Sequence, residues 1–142
     1  MFASESGRAS LEFLTAAIVL LIPIMFLGMS LSSIYNATLA AETAARNAAR
    51  VFVDEVSVED AAARAETAVM IALANHGLSQ PLSIQRQCSE SSCVAPGSVV
   101  TIRVGVAPPL ITSGLFPSSL GLSSVPVYAE ATAMVSRYGG AP

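Results

Sequence analysis

The chain has 142 residues, of which 53% are hydrophobic and only 12% charged, with a formal net charge of −3. That length accommodates one small domain plus a membrane segment, and the composition is too apolar for disorder. There is no basic run and no Trp, so nothing points to nucleic acid as a partner.

Residues Met1 to Gly7 are short and polar and read as a leader rather than a structured element. From Phe13 to Leu31 no residue is charged. A run of about 19 residues at about 1.5 Å per helical residue spans roughly 28 Å, close to a bilayer core. It is longer than the apolar region of a secretory signal, about 7–15 residues, and helical sequence follows it directly, so the expectation is that it is retained. Glu12 stands at the doorway of this span, where a carboxylate is costly unless something pairs with it. Arg8 is the basic residue on the N-terminal side, and none follows the span until Arg46. The positive-inside rule then places the N-terminus in the cytoplasm and the remainder outside. Pro23, in mid-span, removes the helical bond to the Val19 carbonyl and is expected to kink or loosen the helix, with Gly28 about one turn later.

From Ser32 to Val53 the helix is expected to continue. Ala37, Ala40, Ala41, Ala44, Ala45, Ala48 and Ala49 recur at three- and four-residue spacing. They form a smooth stripe suited to close packing against a subunit or a domain. Glu42, Arg46 and Arg50 lie at i, i+4 and i+8 on the other side, as a solvated ladder would. Span and stalk together predict one helix of about 40 residues, roughly 60 Å long. Asp54-Glu55-Val56-Ser57 breaks it. Ser57 with Asp60 resembles a capping box with a short partner, and a second helix is predicted over Val58–His76, stopped by Gly77. Its apolar face is Ala61, Ala62, Ala65, Val69, Ala72 and Leu73. His76, the one histidine, falls in its last turn and reads as a cap or surface residue.

Beyond Pro81 the period changes to two. Leu82–Cys88, Val100–Val106 and Val125–Val135 each alternate apolar and polar residues. One apolar face per strand predicts an antiparallel sheet covered on one side, with the second helix as its natural cover. The fold class is therefore α+β: residues 8–53 a transmembrane and stalk helix, residues 54–142 an extracytoplasmic head with a sheet of about three strands. Cys88 and Cys93 could ligate a metal, but no second pair or histidine cluster accompanies them. In an oxidising compartment a short-loop disulfide is the simpler reading. That loop and Ala95-Pro96-Gly97 would turn the first strand into the second. Pro108–Leu122 is uncharged and without period, either packed back on the sheet or offered to a partner. The tail Gly139–Pro142 is expected to fray.

No phosphate loop, metal-ligand set or histidine-centred triad can be assembled from these residues. The expectation is a structural or assembly component that is not an enzyme and needs no cofactor.

Gly7-Arg8-Ala9-Ser10-Leu11-Glu12-Phe13, followed by an apolar helix, resembles the class III signal of type IV pilins and pseudopilins. Within that superfamily the stretch is most similar to TadE-like minor pilins of tight-adherence pili, which follow it with an alanine-arginine segment. Here that segment reads Ala44-Ala45-Arg46-Asn47-Ala48-Ala49-Arg50. The closing strand Val127-Tyr128-Ala129-Glu130-Ala131-Thr132-Ala133 resembles theirs more loosely. The likeness is specific over Gly7–Val53; the cysteine pair and the Pro108–Leu122 loop are not part of it.

The resemblance implies cleavage after Gly7 by a prepilin peptidase, which makes Arg8 the new N-terminus and Glu12 the fifth residue. It implies that Glu12 pairs with the terminal amine of a neighbouring subunit, and that Phe13 and Pro23 take part in subunit assembly. The implied partners are major and minor pilin subunits, the peptidase, the inner-membrane assembly platform and the lipid bilayer. The chain would prime, cap or decorate a pilus. The alternative is a single-pass membrane protein whose extracytoplasmic head binds a ligand or envelope partner.

Overall fold

In a computed structural model, residues 5–108 and 124–138 are described. The chain order is α1 (Glu5–Val53), α2 (Val58–Asn75), β1 (Ser83–Cys88), β2 (Val99–Val106) and β3 (Val127–Met134). Residues 109–123 and the four-residue tail lie outside the described residues, and with them most of the uncharged loop and the fraying expected of the tail.

α1 is one helix of 49 residues, about 73 Å long. It is described from Glu5, three residues before Arg8, so the second half of the expected leader is helical. Gly7 does not stop the helix, since a glycine within one costs only about 1 kcal/mol. The helix also runs on through Pro23.

The two halves of α1 meet different surroundings. Through the N-terminal half, large side chains such as Leu11, Phe13, Leu20 and Leu27 are exposed. This helix is long and apolar enough to cross a membrane. In the C-terminal half the alanine stripe is buried: Ala37 through Ala49 retain at most 2% of their surface, and Phe52 none. On the opposite side Glu42 and Arg46 pair at 3.4 Å in solvent, the first rung of the expected ladder.

α2 starts and stops where its sequence dictates. The Ser57 hydroxyl accepts from the Asp60 amide at 3.1 Å. The same hydroxyl donates to the Asp60 carboxylate at 2.8 Å, because Asp is too short to reach back to the Ser57 amide as a longer Glu would. At the other end Gly77 takes φ +73°. The Leu78 and Gly77 amides donate to the Leu73 and Ala74 carbonyls, the six-to-one and five-to-two bonds of a Schellman close. Leu78 then packs against the core.

The sheet is a meander of order β1-β2-β3, antiparallel throughout. Register sets one face toward the helices: Ile84, Arg86 and Cys88 on β1, Val104, Ile102 and Val100 on β2, and Ala129, Ala131 and Ala133 on β3. The alanines of β3 face those of α1, and two small-residue surfaces let the backbones come close. α1 accordingly makes close backbone contact with β3 and β2, while the close backbone contacts of α2 are with α1. The cover of the sheet is thus shared: α1 lies directly on it, and α2 completes the same core with Val69 and Leu73. That core draws on both sides of residue 53.

Cys88 and Cys93 form a disulfide with a Cα separation of 5.3 Å, closing the first turn of the β1–β2 connection. Ser89 and Val99 then brace the connection, with the Ser89 amide donating to the Val99 carbonyl and the Val99 amide to the Ser89 hydroxyl, both at 2.9 Å. On the outer face, Gly105 lies under the Tyr128 ring. A Cβ there would stand 2.7 Å from a ring carbon, too close for both to remain.

Candidate functional site

The residues that the sequence singles out lie along the first turns of α1. Gly7 and Arg8 are within the helix, and the described side chains begin at Ala9. Glu12 and Phe13 are both exposed. The Thr15 hydroxyl donates back to the Leu11 carbonyl at 2.8 Å, so its proton is not offered to the neighbouring Glu12 carboxylate. Leu11, Glu12, Thr15, Ala16 and Val19 line one shallow groove along this face. Among the described residues Glu12 has neither an ion pair nor a hydrogen bond. Among the described residues it is thus an unpartnered carboxylate at the head of a largely apolar helical surface. In lipid such a group demands a cation or a hydrogen-bond donor.

Pro23 sits eleven residues further along the same helix, too far to touch Glu12; at about 1.5 Å per residue the two are separated by roughly 16 Å. Cys88 and Cys93 sit in the head, joined to each other. The structure therefore gathers Glu12 and Phe13 into one segment and leaves Pro23 and the disulfide apart from it. Among the described residues no three His, Cys, Asp or Glu side chains converge as a metal would require.

The alanine stripe has a different role from the one a filament would give it. Those seven residues are consumed in packing the head on its own helix. The stripe is not an exposed surface for neighbours; what α1 leaves exposed is the large apolar residues nearer its N-terminus.

Two features of the head escape sequence reasoning. Asn36 and His76 clasp each other across forty residues. The Asn36 amide donates to the His76 carbonyl at 3.1 Å, and Asn36 Oδ1 lies 3.0 Å from His76 Nδ1. The pair ties the end of α2 to α1 near the point where the alanine stripe begins. The available signal was an amide, Asn36, directly preceding that stripe. The second feature is a cleft of about 420 Å³ between α2 and β1. Phe52, Ala65, Ile84 and Ile102 form its apolar walls, and Arg86 and Glu66 are its charged members. The Arg86 guanidinium carbon lies 5.2 Å from the centre of the Phe52 ring. An alternating strand with Arg in an apolar row was the signal for it.

Comparison with protein-family models, with curated proteins and with solved structures finds no match to this chain.

Proposed function

We propose that the chain is a membrane-anchored minor pilin or pseudopilin, cut by a prepilin peptidase after Gly7 and assembled into a tight-adherence pilus. The observation that carries the reading is Glu12: an exposed carboxylate without a partner among the described residues, five residues after a glycine and at the head of an apolar helix. Cleavage after Gly7 creates an amine on Arg8. The Glu12 carboxylate of one subunit then pairs with the amine of its neighbour, so that each charge is satisfied in a low-dielectric setting. The pairing also sets the axial register between subunits. The peptidase acts on the cytoplasmic side, and the head lies outside, where a Cys88–Cys93 disulfide is chemically at home. Pro23, without an amide proton to donate to the Val19 carbonyl, gives the helix a place to adjust as it packs.

Glu12→Ala tests the pairing. The variant should insert into the membrane and be processed normally yet be lost from sheared filaments. Incorporation equal to that of the unaltered chain would defeat the pairing mechanism.

A further inference from the structure

Among the described residues, the cleft beside β1 coincides with an unpaired sheet edge. The Ser89 amide donates to the Val99 carbonyl, which fixes the hydrogen-bonded phase of the β1–β2 ladder. Odd-numbered residues of β1 therefore face β2, and Ile84, Arg86 and Cys88 turn their amides and carbonyls outward. No hydrogen bond reaches those amides among the described residues. The side chains of Ile84 and Arg86 lie on the helix-facing side of the sheet, in the cleft under α2. Arg86 has no carboxylate partner there among the described residues; it rests on the Phe52 ring. Among the described residues, an unpaired backbone edge, a cleft walled by Phe52, Ile84 and Ile102 with Glu66 at its α2 side, and the exposed Arg86 guanidinium thus share one groove.

We propose that this groove binds an extended peptide segment of a partner protein as a fourth strand beside β1. Its backbone would bond the outward groups of Ile84, Arg86 and Cys88. One apolar side chain would enter the space between Phe52, Ile84 and Ile102, and an acidic side chain on the same face would meet Arg86. This is strand addition of the kind used by domains that hold a peptide between an edge strand and a helix. A pocket of about 420 Å³ is of the size that a single anchoring side chain and its flanks fill.

A second copy of the chain fits this edge poorly. If its β3 were added beside β1, its α1, which lies directly on β3, would be driven against α2. If β1 met β1 with the helices kept on one face, the pair would run antiparallel. The two α1 helices would then point in opposite directions, which one membrane does not accept. A linear segment without a helix of its own meets neither obstacle. The binding rests on the head alone and is independent of processing at Gly7.

The test is selection from a phage-displayed library of random decapeptides on the full chain in detergent micelles. The enriched peptides are then synthesised and titrated into isotope-labelled protein. Enriched sequences should alternate apolar residues and carry an acidic one. They should shift the Ile84, Arg86 and Cys88 amides and slow their hydrogen exchange, while leaving Glu130 and Thr132 on the far edge unchanged. Arg86→Gln should weaken the acidic peptides roughly tenfold, the scale of one charge-assisted hydrogen bond. The proposal is overturned if no peptide is enriched, or if enriched peptides leave the β1 amides unshifted. It is equally overturned if those amides are already protected in the free chain, or become so with rising protein concentration, since the edge is then filled by this chain itself.

Discussion

Replacing Ala44 by Leu separates an intramolecular alanine stripe from an intermolecular one. Ala44 is fully buried at the centre of the stripe, in the cluster that joins α1 to α2 and the sheet. Leu adds three carbon atoms to a site whose neighbouring backbones are already close. Overpacking of this kind costs about 1–3 kcal/mol. For a head of this size 1 kcal/mol corresponds to roughly 4–8 °C in Tm, so a loss on the order of 10 °C is expected. Asn47→Leu, on the exposed side of the same turn, is the control and should move Tm by little. The assay is thermal unfolding of the purified, unassembled chain in detergent, followed by near-ultraviolet circular dichroism. If the stripe served neighbouring subunits and not the head, Ala44→Leu would leave the isolated chain as stable as the parent. That result would refute the packing argument.

Among the described residues the buried Ser98 hydroxyl has no hydrogen-bond partner, so Ser98→Ala should raise stability by about 1 kcal/mol in urea unfolding, and a loss would show that the hydroxyl is satisfied in solution. Gly105→Ala should destabilise by about 1 kcal/mol because the new methyl meets the Tyr128 ring and the Ser83 hydroxyl; in a Tyr128→Ala background, where only the Ser83 contact remains, the same change should cost less, and additivity of the two would contradict the ring contact. Asn36→Ala removes the clasp on the end of α2, so amide exchange over Leu73–Leu78 should quicken several-fold with little change in global stability, and unchanged exchange would mean the clasp does not form.

Most of this fold is legible because local rules and burial agree. Ser57 and Gly77 mark the ends of α2 by backbone chemistry alone, and the structure closes the helix there. The two-residue period after Pro81 gives all three strands and their helix-facing sides. The assignment of the cover is less legible. Period and composition do not say which helix a sheet of small side chains will accept, and three alanines on β3 admit α1 more closely than α2. The same degeneracy hides the fate of the alanine stripe, since a surface suited to a neighbour is equally suited to the chain's own sheet. At the candidate site, Glu12 was legible because a carboxylate beside an apolar span violates the pattern around it. Arg86 breaks an apolar row in the same manner, but its meaning depends on Phe52, thirty-four residues earlier, and on an edge that only the strand order reveals. The Asn36–His76 clasp depends on the angle between two helices, which no local rule supplies.

The N-terminal residue of the mature protein is the most direct test of the proposed function. Mass spectrometry of the chain purified from its native membrane should find a terminus at Arg8, and Gly7→Leu should abolish that cut. A native protein still carrying residues upstream of Arg8, or one processed equally well with Leu at position 7, would contradict the assignment of this stretch as a processing and assembly signal.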